Sequence, residues 1–141
     1  LVPATWATRV VLNRAALLAG VQRVAPFARS GNGILRFVMT GSVLHVLSRG
    51  DEIGDSHDTV PVAAVEGAAG AATALNVKYL VEMLGSFGAT EITMDLNQPS
   101  QPVVFRAGDT ATEVLMPMYV EASSFALPVD GESAEAVAVF A

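Results

Sequence analysis

Few side chains in this sequence have the chemistry to act on a substrate, and their spacing argues against most reactions. Two histidines, His45 and His57, stand far apart in the chain. His45 alternates with apolar neighbours and reads as a surface or edge position of a strand. His57 sits in an acidic stretch between Asp55 and Asp58. An imidazole flanked by carboxylates is a donor set for a divalent cation, but this spacing matches no ligand pattern, and a solvated loop is expected. Ser30 has no base near it in sequence. Gly31-Asn32-Gly33 follows a helical pattern and precedes a strand, the reverse of the order a phosphate cradle needs. Neither a G-x-S-x-G elbow, a Walker loop nor a G-x-G-x-x-G fingerprint occurs. The carboxylates gather in loops without the pairing that acid–base work requires. With no cysteine, disulfides, thiolate chemistry and cysteine-ligated zinc are excluded. A non-enzyme without metal or cofactor is the expectation.

A chain of 141 residues, 52% hydrophobic and 16% charged, can bury the core of one globular domain. Its net charge of -6 argues against binding nucleic acid over its whole surface, while leaving room for a local basic face. No apolar run reaches the roughly 18 residues that span a bilayer, and no signal segment opens the chain. A reducing cytoplasm is the expected setting. The start at Leu1-Val2-Pro3, without methionine, reads as a fragment of something longer.

The elements that position these residues fall into a repeated order. Thr8 to Leu12 is β-branched and predicts a strand. Asn13 then caps a helix, which the spacing of Leu17, Leu18, Val21 and Val24 carries to about Ala25. Arg29 to Gly33 is expected as a loop. Ile34–Thr40 and Val43–Ser48 read as strands joined by Gly41-Ser42, a glycine-first pair suited to a type II′ turn. A polar stretch from Arg49 to Asp58 carries Asp51, Glu52, Asp55 and Asp58. Thr59–Val65 is a further strand, with Pro61 marking an edge or a bulge, and Glu66–Ala72 a connector. The order then restarts with strand Thr73–Leu75, the cap Asn76 and a helix to about Phe87 with Val77, Leu80, Val81 and Leu84 on one stripe. Strands at Glu91–Leu96, Val103–Ala107 and Thr112–Val120 follow.

Asn13 and Asn76 lie 63 residues apart, and the same offset places Leu17, Leu18 and Val21 on Leu80, Val81 and Leu84. The expected fold class is therefore α+β, a β-α-β-β-β unit written twice, with two helices packed on one face of antiparallel sheet. The outward helix faces are short-chained and mildly basic, with Ala16, Ala19 and Arg23 on the first, Lys78 and Ser86 on the second.

Two short motifs carry a resemblance to a known family. Leu75-Asn76-Val77-Lys78-Tyr79-Leu80 is similar to the opening of the last helix in the bacterial sliding clamp, the beta subunit of DNA polymerase III. Val114-Leu115-Met116-Pro117-Met118 is similar to the near-terminal strand of its third domain, and Leu1-Val2-Pro3 resembles the linker entering that domain. The resemblance covers residues 1–120. It implies the DNA clamp fold and a non-catalytic processivity factor of replication. In that picture three such domains per subunit, and two subunits head to tail, encircle duplex DNA without reading its sequence and tether the polymerase. The resemblance also implies a pocket for peptide motifs of polymerases and clamp loaders, walled here by Asn76, Tyr79, Ser100, Pro102, Val114, Leu115, Met116, Pro117 and Met118, with Leu1 from the linker. Arg14, Arg23 and Lys78 would face DNA, Arg14 sitting nearer the buried stripe. Pro26 and Phe27, just past the first helix, and Asp55 and Asp58 would lie at the homodimer interface. A bacterial, nucleoid-associated cytoplasmic protein is implied.

This sequence departs from the family where Tyr119 replaces an arginine and an acidic tail, residues 121–141, follows. The tail either lacks a fixed place or folds back over the domain. It also motivates the alternative of a clamp-like stand-alone interaction module that encircles no DNA.

Overall fold

The strand pairing interlocks the two halves of the repeat. The structure, a computed structural model, describes residues 5–49, 55–109 and 111–127. The first half contributes β1 (Thr8–Asn13), α1 (Arg14–Ser30), β2 (Ile34–Thr40), β3 (Val43–Ser48), β4 (Ser56–Pro61) and β5 (Ala64–Gly67). The second contributes β6 (Ala72–Asn76), α2 (Val77–Ser86), β7 (Glu91–Leu96), β8 (Val103–Ala107) and β9 (Ala111–Leu115), before a short 3₁₀ turn at Ala122–Phe125. The antiparallel sheet is divided in two, ordered β5-β1-β7-β8-β9 and β4-β3-β2-β6. Each half has thus lent its first strand to the other: β1 pairs with β7, and β6 with β2.

Alternation explains why the strands face as they do. Val10 and Leu12 of β1, and Leu35, Phe37 and Met39 of β2, point into one core shared with both helices. α1 and α2 pack against each other on that inner side. Each helix is capped as expected, Asn13 Oδ1 accepting from Ala16 N at 2.9 Å and Asn76 Oδ1 from Tyr79 N at 3.1 Å. The first amide of each helix also donates to the loop following the other, Arg14 N to Thr90 O at 2.8 Å and Val77 N to Gly33 O at 2.9 Å. The repeat therefore extends to its hydrogen bonds.

Both halves also end alike. β4 stops at Pro61, and the next free amides carry the chain across to the other sheet, Ala63 N donating to Val11 O at 2.8 Å. β9 stops at Leu115, before Pro117, and Met118 N donates to Ala74 O of β6 at 2.7 Å. Val11 and Ala74 are equivalent positions of the two repeats. The segment from Met116 to Val120, expected as the end of a strand, is instead a strap between the two sheets. Likewise the single strand expected over Thr59–Val65 is two strands, one in each sheet, and β5 takes Glu66 and Gly67 from the expected connector. The hairpin at Gly41-Ser42 has φ +53° at Gly41 and no positive φ at Ser42, which fits the type II′ form.

Helix α1 runs past its expected end at Ala25. Pro26 lies inside it, and Pro26, Phe27, Arg29 and Ser30 are helical rather than beyond the helix. Proline leaves the Gln22 carbonyl without its helical partner, but Gln22 and Pro26 are both exposed, so water serves it. Ala25 and Ala28, wholly buried, hold the last turn against the core.

A second, smaller core lies on the outer face of the β4-β3-β2-β6 sheet. There Val38, Leu47, Ala72 and Ala74 are covered by Phe125 and Leu127. The described part of the tail, residues 121–127, thus folds back over the domain. Burying two such side chains is worth about 1.5–3 kcal/mol each before the cost of ordering the chain.

Candidate functional site

Apolar surface left uncovered by this core gathers in one place. Among the described residues the exposed large hydrophobic side chains are Tyr79, Met116, Met118 and Tyr119, at 59%, 68%, 37% and 86% exposure. Three of them meet at a cavity of about 300 Å³ lined by Asn76, Tyr79, Val114, Leu115, Met116, Pro117 and Met118. Its walls come from both sheets and a helix start. Asn76 ends β6 and fixes the first turn of α2, so that Tyr79, next to the buried Leu80, projects outward. Pro117 ends the β9 ladder, and the Met118 amide pins the strap to β6. The lining is methionine-rich and aromatic, an adaptable apolar surface, and the amide oxygen of Asn76 is already engaged as the helix cap.

Seven of the pocket residues expected from sequence therefore meet at one cavity. Ser100 does not join them. It lines a neighbouring cavity of about 270 Å³ with Pro99, Tyr119, Val120 and Phe125, separated from the first by Pro117 and Met118. Pro102 lines neither, and Leu1 lies outside the described residues. Sequence reasoning missed Phe125 as a cavity wall, since no family motif reaches it.

The helical face differs from expectation in detail. The Arg14 guanidinium donates to the carbonyls of Ala89 (2.9 Å) and Leu84 (3.1 Å), so it closes the end of α2. Arg23 forms an ion pair with Asp58, which takes up charge expected on the DNA-facing and interface sets alike. Partial burial opposes ionisation of Asp58, but the hydrogen bonds from Arg23 and the Thr59 amide outweigh it and hold the carboxyl below the usual range. Lys78 is exposed, and Arg29 joins it at the rim of one shallow cavity. Arg29 was missed because the helix was expected to end four residues earlier. Pro26 is exposed and Phe27 half-buried near the end of α1, and Asp55 is exposed just before β4. Asp51 and Glu52 lie outside the described residues.

The histidines, expected to be unrelated, are neighbours. β4 begins before His57, so His57 and Asp58 belong to a strand and not to a loop. The β3–β4 register sets His45 opposite Thr59 and His57 opposite Leu47, which makes the imidazoles diagonal neighbours on the outer face. His45 Nδ1 and His57 Nε2 share a hydrogen at 2.8 Å, and Thr40 Oγ1 holds His45 Nε2 at 2.7 Å. The ring centroids are 5.1 Å apart and the planes are inclined by only 24°. Among the described residues no cluster of three or more metal-ligating side chains occurs.

Burial lowers both imidazole pKa values below the ordinary 6.5; for His45 the charge of His57 adds to this, and for His57 the Asp58 charge opposes it. The folded state thus binds fewer protons than the unfolded chain, so stability rises with pH. This contribution is complete above 6.5 and is lost as pH falls toward the folded-state values. Thermal unfolding across that window is expected to show declining stability, and His57→Gln is expected to flatten the decline. An unchanged slope in the variant would count against the pair as its source.

Residues 1–119 match the family model for the DNA polymerase III beta subunit, C-terminal domain. The chain belongs to this family. The resemblance of the Asn76–Tyr79 and Met116–Met118 motifs is thereby met, as is the α+β fold. The beta sliding clamp of Synechocystis sp. is 26% identical over 122 residues, 84% of this chain and 31% of its own length. That of Synechococcus elongatus is 28% identical over 106 residues, 74% of this chain and 28% of its own length. The chain thus spans less than a third of the length of these curated relatives. The crystal structure of the DNA polymerase III beta subunit from Thermotoga maritima matches with a TM-score of 0.80 at 25% identity, over 85% of this chain and 33% of that one. The beta chain from Streptococcus pneumoniae matches at 0.78 with 18% identity, over 85% and 33%, a likeness of fold alone. The matched region of this sliding-clamp domain ends at Tyr119, one residue before Val120 of the second core. No helix among the described residues is long and apolar enough to cross a membrane.

Proposed function

We propose that this domain is the third part of a clamp protomer whose homodimeric ring encircles duplex DNA and tethers the replicative polymerase in the bacterial cytoplasm, beside the nucleoid. The work is mechanical: no bond is made or broken. The observation that carries this reading is the cavity under Tyr79, Met116 and Met118, an open apolar patch on a chain of clamp family. Patches of this kind mark docking surfaces for partners. Short motifs of polymerases and clamp loaders would place an apolar side chain among Val114, Leu115 and Met116, while the linker around Leu1 and a second domain supply the opposite wall.

Lys78 and Arg29, with the partly neutralised Arg23, would touch phosphates weakly and without regard to sequence, which sliding requires. Arg14 contributes less, its guanidinium being committed to α2. Pro26 and Phe27 would pack across the interface between protomers with Asp55 beside them, and Asp58 would enter that interface already paired.

Titrating the full-length protein with a fluorescent peptide carrying a polymerase clamp-binding motif tests the pocket. Met116→Ala is expected to weaken binding about tenfold, roughly 1.4 kcal/mol. Equal affinity for the variant and its parent would sink the assignment.

A further inference from the structure

The outer face of the β4-β3-β2-β6 sheet holds charge that the clamp reading does not use. Arg36 projects from β2 onto this face, opposite the inward Leu35 and Phe37, and is only 7% exposed. Its Nη1 donates to the Ser124 carbonyl of the 3₁₀ turn at 3.1 Å. A guanidinium carries five donors in a rigid fork, and burying one against a single carbonyl is costly. The other Arg residues of the sheets and the first two-thirds of α1 are accounted for: Arg9 and Arg106 by Asp95, Arg23 by Asp58, Arg14 by carbonyls. Arg36 and its neighbour Arg49 have no carboxylate partner among the described residues.

The remaining Arg36 nitrogens are not sealed in, since the only buried polar side-chain atoms without a partner among the described residues are the hydroxyls of Thr73 and Thr93. They open into two cavities, about 300 Å³ and 400 Å³, one on each side of the 3₁₀ turn. Arg36, Arg49 and Ser124 line both. Burial and the nearby Arg49 charge push the Arg36 pKa down, and Asp55 offsets this only in part. Two guanidiniums thus share a recess with their charge incompletely balanced.

We propose that this recess is an anion site in which Arg36 and Arg49 take a carboxylate of an acidic peptide segment. Carboxylate is favoured over phosphate because Glu121 lines one cavity and Asp55 the other, which opposes a dianion more than a monoanion. Ile34 and Val120 in one cavity, and Leu47 in the other, offer apolar contact for the methylenes of a glutamate. The strap pocket is a separate cavity that shares none of these residues.

The side-chain Nε–H resonances of the 141-residue chain report the site directly. Titration with a polyglutamate peptide at physiological ionic strength is expected to shift the Arg36 and Arg49 signals saturably, leaving Arg9 and Arg106 in place. Arg49→Gln is expected to weaken this binding about tenfold. Inorganic phosphate at equal concentration is expected to bind less well. Shifts spread evenly over all arginines, indifference to Arg49→Gln, or tighter binding of phosphate would each overturn the proposal. So would large Arg36 and Arg49 shifts in an Asp51→Asn, Glu52→Gln variant without peptide, because the counterion would then be the chain's own acidic stretch.

Discussion

Gly67→Ala is expected to destabilise the domain by roughly 3 kcal/mol, from backbone strain together with overpacking. Gly67 ends β5 with φ +101°, a conformation that side chains disfavour. A Cβ there would sit 2.0 Å from the Ala7 carbonyl oxygen and 3.2 Å from Thr8 Cα. Backbone on both sides is held: Gly67 pairs with Thr8, Ala68 N donates to Ala7 O at 2.9 Å, and Thr8 Oγ1 donates to Ala68 O at 2.8 Å. Relief therefore requires breaking the β1–β5 edge. Gly108→Ala is the matched control, with φ +57° and nothing within 4 Å of its would-be Cβ. It is expected to cost about 1 kcal/mol through strain alone. Urea unfolding of both variants measures the difference; equal losses would show that the close approach to Ala7 is not the cause.

Asp95→Ala is expected to cost about 2–3 kcal/mol. Asp95, 3% exposed, accepts from Arg9 Nε at 2.6 Å and Nη2 at 2.7 Å, with Arg106 Nε at 3.5 Å. Removing one partner of a buried pair costs about 3–5 kcal/mol, but the Arg9 and Arg106 side chains are 31% and 32% exposed and regain water, which lowers the figure. The hydrogen bond to Asp95 raises the Arg9 pKa, and Arg9 also lies over the Trp6 ring at 4.7 Å. The exposed Arg23–Asp58 pair supplies the contrast: Arg23→Ala is expected to cost under about 1 kcal/mol. Chemical denaturation of the two variants side by side checks the ranking, and a smaller loss from Asp95→Ala than from Arg23→Ala would refute it.

The parts of this molecule that the sequence made legible are those set by local rules. Asn13 and Asn76 announce their helices because a short polar side chain satisfies free helical amides, and the apolar stripes follow from helical period. Pro61 announced a departure from the regular ladder, though not that the chain would change sheets there. The exchange of β1 and β6 was not legible, since alternation says which face a strand buries and not which strand it pairs with. The last turn of α1 was not legible, because the burial of Ala25 and Ala28 that keeps it helical is a tertiary effect. Seven pocket residues were legible through two motifs. Ser100 fell outside because the strap, whose path depends on the Met118–Ala74 bond, divides the two cavities. The histidine pair and the Phe125 contact both depend on register and long-range packing, which leave no local mark.

The exchange of first strands also constrains how the chain is made. β1 bonds to β7, as in the Arg9–Asp95 pair 86 residues apart, so it emerges from the ribosome long before its central partner. At about 5–20 residues per second, Val10 and Leu12 wait several seconds for β7 to be synthesised. During that interval β1 offers an apolar face and the open edge that β7 will take to whatever is nearby, and neither half of the repeat has a complete sheet of its own. A nascent chain paused within the second half would present a chaperone with a β1 paired to β5 alone, its other edge still waiting for β7, and the domain reaches its native state only once both halves are available to each other.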